Sequence, residues 1–490
     1  MRRYFLLITA LIPLFSIFAE AQDRMTMEQA IYRARTESVQ ALKARSSFVS
    51  SYWAWRSYVA SRLPSLTAYG RIGSLNRSLT LLQNYETGEM VYTGTSNMQN
   101  SLGLSVRQVI PLTGGTVSLY SDLSRIDQFG ANRSLTWYAQ PVTLSYTQPV
   151  FSFNQYKWDE KISPKEYEKA KRTYLESMED VTSRAVQYYF SLLQAGLSLE
   201  IARSGYSNTL KMLGVAKERV KLGGITRDEY LQLELKSLND SISVRDRELS
   251  LREAQMSFCS FLALDSDSGV MPVMEEDIPD ILVDYDMVLA KSMENSSFTV
   301  GSDISILNAE QAVAQARAGR GLSMTISARF GLSNSAHDFP ATMNNLLDQE
   351  VVGVTFSIPI YDWGMGRGRV KKAEASAEVV RAQVLQAEND YRRSLFTAVG
   401  QFNNQRQQCM VSQRAAGIAR ERYSLIMDKF AAGKATVQEL KNAQEESDAA
   451  ALRHVQNIRD YWNYYFTLRQ LTLYDFIEGR DLDVDYTEMI

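Results

Sequence analysis

Residues 351–372 read VVGVTFSIPIYDWGMGRGRVKK, and within them one periodicity gives way to another. Up to Ile360 the apolar residues Val352, Val354, Phe356, Ile358 and Ile360 fall on every second position, with Thr355 and Ser357 between them. That is a strand with one apolar and one polar face. Pro359 has no N–H for a ladder and is expected to end the pairing. Gly364, Gly366 and Gly368 loosen a turn, and from Val370 a helical pattern begins with no further proline in the chain. A strand therefore feeds directly into a very long helix.

The same join occurs at residues 142–157, VTLSYTQPVFSFNQYK, where alternation breaks at Pro149 and a second long helical run follows. Pro149 and Pro359 are 210 positions apart, and the offset holds along the chain. It aligns Ala185 with Leu395, Tyr189 with Val399, Leu192 with Phe402, Gly223 with Gly433, Thr226 with Thr436, Glu229 with Glu439 and Asp265 with Asp475. A register held over that length implies an internal duplication. Pro164 has no counterpart, since Glu374 stands there, so the two helices need not start alike.

The N-terminus carries Arg2 and Arg3, an apolar core from Tyr4 to Phe18 and then Ala19-Glu20-Ala21, the pattern of a cleaved export signal over 1–21. No cysteine follows that core, and no later apolar run is long enough for a transmembrane helix. Any membrane span must be made of strands. The formal charge of −3, or −4 without the signal, gives no sign of nucleic-acid binding. Cys259 and Cys409 sit in helical patterns and read as unpaired, packed residues. His337 and His454 are too isolated for a metal site, and the glycines at 364–368 lack the lysine spacing of a phosphate loop. The reading contains no catalytic residue, no metal and no cofactor.

In order, residues 22–64 form a first helical segment, with Met25 to Arg62 as one amphipathic helix. Residues 65–150 are a first β region with strands at about 65–73, 101–110, 115–123 and 140–148, the middle two an additional hairpin about Gly114-Gly115. A long helical hairpin fills 151–265, with Ser163 capping a helix whose first residue is Pro164. An acidic segment covers 266–302, a helix 303–322 and a second β hairpin 323–360. The second long hairpin spans 361–475, followed by an acidic tail at 476–490, frayed or docked beside the middle segment.

Four to six such strands are too few for a lipid-spanning barrel, and open edges are not tolerated in hydrocarbon. The long helices cannot bury their apolar stripes against themselves. Strands and helices thus both call for an oligomer with a hollow axis. Taken alone, the helices fit a periplasmic or surface coiled-coil protein without a pore, and the strands a half-exposed sheet; passive porin-like uptake is a third reading, against which the very long helices stand.

QPVF (148–151) and IPIYDWG (358–364) before the helices, with the turns RVKLGGITRDEYLQLE (219–234) and KFAAGKATVQELKNAQ (429–444), resemble the TolC-like outer membrane efflux proteins. The resemblance implies an α+β membrane protein, a homotrimer whose strands share one β-barrel in outer-membrane lipid and whose helical hairpins form a periplasmic tunnel. It implies a periplasmic adaptor (a membrane fusion protein) and an inner-membrane RND or ABC pump as partners. The function it implies is the exit duct of efflux or type I secretion. Pro149 and Pro359 then mark the barrel–tunnel junction. Gly223, Gly224, Thr226, Gly433 and Thr436 mark the hairpin turns and adaptor contacts, and Glu229, Glu439 and Asp228 are the aperture candidates. The plain alternative for the glutamates is a capping box. The chain departs from the family's gate in carrying Ala435, Phe430 and Asn442 where an arginine, a tyrosine and a second acid are expected.

Overall fold

The computed structural model describes residues 24–83, 87–130, 133–265, 269–274 and 277–489; the export signal assigned to 1–21 lies outside them, as do parts of the 266–302 segment. The elements run β1 (Arg24–Met25), α1 (Met27–Glu37), α2 (Val39–Ser61), β2 (Ser65–Gln83), β3 (Met90–Ile110), β4 (Gly115–Gln128), β5 (Ser134–Val150), α3 (Gln155–Lys221), α4 (Arg227–Phe261) and β6 (Met271–Pro272). They continue with α5 (Tyr285–Asn295), α6 (Ser297–Ala318), β7 (Ser323–Ala336), α7 (Phe339–Thr342), β8 (Leu347–Ser357), α8 (Met365–Ala431), α9 (Val437–Thr472), β9 (Tyr474–Asp475) and β10 (Arg480–Asp481). No helix among the described residues is long and apolar enough to cross a membrane.

The chain divides into two compact units. One comprises 47–173 and 297–391, and its centre is a six-stranded antiparallel sheet in the order β2-β3-β4-β5-β7-β8. The additional hairpin is β3 and β4, full members of this sheet, and the strands are longer than the alternation alone indicated. Leu66, Val106, Leu119, Leu144 and Phe330 stand in register across five strands, and all five are exposed. The opposite face holds Thr67, Ser105, Tyr120 and Thr143 in the adjacent row. Register shifts between Arg71 and Ser74, Tyr120 and Asp122, and Ala139 and Val142 mark bulges, the last holding Pro141 where a ladder N–H is not needed. Below the sheet, Tyr167 of α3 stacks on Trp55 at 5.7 Å and on Phe48, fixing α2 to α3.

Three expectations for this unit need correction. Pro149 does not end β5: it pairs with Thr325 of β7, while the β4 side of the ladder stops at Thr147, so its missing N–H costs nothing there. Pro359 lies beyond β8, which ends at Ser357, and positive φ at Trp363 (55°) and Gly364 (83°) turns the chain into α8. Pro164 does not start a helix. α3 begins at Gln155, where the Asn154 carboxamide accepts from the Lys157 N–H at 3.3 Å, and Pro164 sits inside it. With that start, α3 and α8 are both 67 residues long and their bounds differ by 210.

The other unit comprises residues up to 46, 174–296 and 392–489. The first helix is two helices, because Ser38 is extended (ψ 150°), buried, and caps α2 through Oγ to the Ala41 N–H at 3.1 Å. Here α3, α4, α8 and α9 pack around Val181, Ala185, Tyr189, Leu192, Leu395, Phe402, Ile458, Tyr461 and Tyr465, all buried. Cys259 and Cys409 are buried in α4 and α8 and form no disulfide. The C-terminal tail is docked: Asp481 accepts from Lys291 at 2.9 Å and from Asn295 at 2.8 Å on α5.

The hairpin turns as candidate functional site

Each long hairpin reverses through the same local structure. The last turn of α3 closes when the Gly223 N–H bonds the Val220 carbonyl at 3.1 Å and the Gly224 N–H the Arg219 carbonyl at 2.8 Å. In the second hairpin Gly433 bonds Phe430 at 2.9 Å and Lys434 bonds Lys429 at 2.8 Å. Gly223 (φ 72°) and Gly433 (φ 76°) supply the left-handed residue such a helix end needs.

The return helices start in matching capping boxes. Thr226 Oγ1 accepts from the Glu229 N–H at 3.2 Å, while the Glu229 carboxylate accepts from the Thr226 N–H at 2.8 Å and from its hydroxyl at 3.0 Å. Thr436 and Glu439 repeat the three bonds at 3.2, 2.8 and 3.0 Å. The Thr436 N–H and then its hydroxyl hold the Glu439 carboxyl below the usual carboxylate range. Both glutamates therefore have one oxygen committed to a cap. Asp228 accepts from Gln232 at 2.7 Å on an exposed face.

Three residues outside the expected set organise the turns. The Arg219 guanidinium donates from Nη1 to the Phe430 carbonyl at 3.2 Å and from Nη2 to the Gly224 carbonyl at 3.4 Å, joining one turn to the other. Phe430 and Ala435, at the two departures noted above, serve apolar packing: buried Phe430 clusters with Ala216, Leu233, Val437 and Leu440, and Ala435 packs against that cluster. Arg219 aligns with Lys429 at the offset of 210, and that asymmetry was the available signal.

Above this cluster the hairpins meet through polar groups. Asn208 donates to the Tyr423 hydroxyl at 3.2 Å, and Thr209 donates to Asp240 at 2.6 Å, which also accepts from Lys236 at 3.1 Å. Asp448 lies in the same electrostatic field, and its carboxyl is pushed up to about 6, first by burial and then by the charges of Asp240 and Glu445 against Lys236. Far along the helices, buried Glu179 meets Arg35 at 3.0 Å and Arg469 at 3.1 Å, and Arg469 also meets Asp475 at 3.0 Å. No group of three or more metal-ligating side chains occurs among the described residues.

The outer membrane efflux protein family model matches residues 303–472. No curated protein matches the chain by sequence. Among solved structures, the Campylobacter jejuni CmeC outer membrane channel is 14% identical with a TM-score of 0.66, covering 94% of this chain and 88% of its own. The Vibrio cholerae outer membrane protein VceC is 13% identical with a TM-score of 0.63, covering 93% of this chain and 97% of its own. At these identities the likeness is one of fold.

Proposed function

We propose, from the match of residues 303–472 to the outer membrane efflux protein family model, that this chain is the outer-membrane exit duct of a tripartite efflux or type I secretion system. The observation that carries the proposal is the six-stranded sheet. Its row of exposed apolar residues fits lipid, while its edges, β2 and β8, have no further strand among the described residues. Lipid-exposed edges cost several kcal/mol per unpaired group, so in a membrane other copies complete the sheet. A homotrimer contributes three such sheets to one barrel in the outer membrane, and each sheet leads straight into 67-residue helices that extend into the periplasm. The offset of 210 shared by both bounds of α3 and α8 and by the starts of α4 and α9 fits an internal duplication.

The duct catalyses nothing. An inner-membrane RND or ABC pump supplies energy and an adaptor meets the hairpin turns about Gly223, Gly224, Thr226, Gly433 and Thr436. Glu229 and Glu439 serve both as caps and, through their remaining oxygens with Asp228, as a carboxylate ring that favours cations. Pro149 and Pro359 stand at the passage from barrel to tunnel.

Fractionation tests the duct: recovery in the outer membrane as a heat-modifiable trimer is expected, and recovery solely as soluble periplasmic protein overturns it. Replacing Glu229 and Glu439 by Ala and recording conductance in a planar bilayer tests the ring. Unchanged cation preference removes both residues from that role.

A further inference from the structure

Within the helical unit the two long hairpins repeat each other at an offset of 210, yet at one level they are filled differently. In the second hairpin that level holds Phe402 and Arg406 of α8 with Tyr461 and Tyr465 of α9. The Phe402 ring lies 5.1 Å from that of Tyr461 and 6.1 Å from that of Tyr465, and all three rings are buried. The Tyr461 hydroxyl donates to the Pro279 carbonyl at 2.8 Å, and the Arg406 guanidinium pairs with the neighbouring Asp280. At the aligned positions the first hairpin carries Leu192, Gly196, Leu251 and Gln255, each smaller than its counterpart.

The smaller side chains leave room. All four line a cavity of about 810 Å³ bounded by α3, α4, the segment at 271–274 and Val455 of α9. That volume is in the range of ligand sites, and like them the cavity is walled by leucines with few polar groups. A Cβ built on Gly196 would meet only the Met271 methyl, at 3.6 Å, so a flexible thioether bounds the space where the second hairpin places an arginine. Thioethers pack well against aromatic rings, and Met274 adds a second one.

Charge at the mouth has one sign to spare. Arg203 lines the cavity but is held by Glu248 at 2.6 Å. Glu200, one helical turn before it, also lines the cavity and has no ion-pair partner among the described residues. The second hairpin therefore fills this level with rings and a cation held by a carboxylate, whereas the first offers the apolar walls and a carboxylate without either.

We propose that this cavity binds an organic cation with an aromatic body, the ring between Leu192, Leu251 and Met271 and the charge on Glu200. The site goes beyond the duct reading and does not depend on it.

Equilibrium dialysis of the full-length protein in lipid nanodiscs at low salt tests it, with protein-free nanodiscs subtracted. The probe is naphthylethylammonium, and naphthylacetate, the same ring with the opposite charge, is the control. The wild type is expected to bind the cation about fivefold more tightly than the anion, the scale of an exposed ion pair. Glu200→Gln is expected to weaken the cation about threefold and to leave the anion no weaker. Gly196→Met, which fills the cavity, is expected to lose both, while Gly196→Ala, which adds only an ordinary contact with Met271, keeps both. Leu251→Tyr, copying the second hairpin, replaces the methionine variant if that one does not fold. Equal binding of cation and anion overturns the charge assignment. Undiminished binding to the filled variants overturns the cavity as the site. No saturable binding to the wild type, as when a second copy of the chain already covers the cavity, overturns the proposal altogether.

Discussion

The Arg219 guanidinium donates to the Phe430 carbonyl at 3.2 Å, so the end of the first hairpin is held to the end of the second within one chain. A hydrogen bond from a charged donor is worth roughly 1.5–3 kcal/mol when shielded and less at a partly open turn. Arg219→Ala is therefore expected to loosen the turns with little effect on folding: single-channel conductance rises while the melting temperature moves by only a few degrees. Arg219→Lys is expected to behave like the alanine variant, because a single ammonium cannot reach both carbonyls in the guanidinium's fork geometry. Planar-bilayer recordings of the three proteins decide the point.

Gly223 and Gly433 have nearly the same φ, yet their surroundings differ. A Cβ at Gly223 would meet nothing within 4 Å, whereas at Gly433 it would meet Arg219 Nη2 at 2.8 Å. Gly223→Ala should cost about 1 kcal/mol, the ordinary penalty of a left-handed alanine. Gly433→Ala should cost more and should also raise conductance, since the added methyl displaces the guanidinium. Combining Gly433→Ala with Arg219→Ala should recover the excess, which a double-mutant cycle by thermal unfolding measures.

Glu179 is buried between two arginines, Arg35 and Arg469. Removing it leaves Arg35 without its acid and Arg469 with Asp475 alone, and Glu179→Ala is expected to destabilise by roughly 3 kcal/mol. The exposed Arg33–Glu37 pair, one turn apart on α1, is the comparison: Glu37→Ala should change stability by less than about 0.5 kcal/mol. Denaturant titration of both variants separates the cases.

What the sequence made legible was periodic. Alternation located the six strands of the main sheet, though not their full length nor the two-residue strands β1, β6, β9 and β10, and the repeated glycines and threonines located both turns and their caps. The hydrogen bonds of Thr226 and Thr436 make the capping reading of Glu229 and Glu439 concrete, since one oxygen of each carboxylate is used locally. Prolines misled, because their effect depends on neighbours that sequence does not display: Pro149 sits where one ladder has already stopped, and Pro164 rides inside α3. Ser38, polar and at a helix-compatible spacing, gave no period change although it breaks the first helix. Arg219, Glu179 and Arg469 were invisible for another reason. Their partners lie 211, 144 and 290 residues away, and nothing local to a charged side chain says which distant carbonyl or carboxylate it meets.

Asp448 and Asp475 should give the protein opposing pH responses. Burial alone pushes the Asp475 carboxyl up, but bonds from the Tyr465 hydroxyl and the Glu478 and Ile477 N–H groups, with the Arg469 charge, leave it below its ordinary value. The folded state thus favours ionised Asp475, a contribution present above the usual carboxylate range and lost as pH falls beneath it. For Asp448 the sign reverses. Its carboxyl is pushed up to about 6, so the folded state favours the protonated form; the contribution is complete below about 4 and is lost as pH rises through about 6. Acidifying from pH 7 to pH 5 is therefore expected to stabilise the wild type through Asp448. Asp448→Asn, which keeps the shape without the charge, should be more stable than wild type at pH 7.5 and should lose that advantage near pH 4.5. Thermal unfolding of the two proteins across that range checks it. An advantage that is the same at both pH values removes Asp448 as the source.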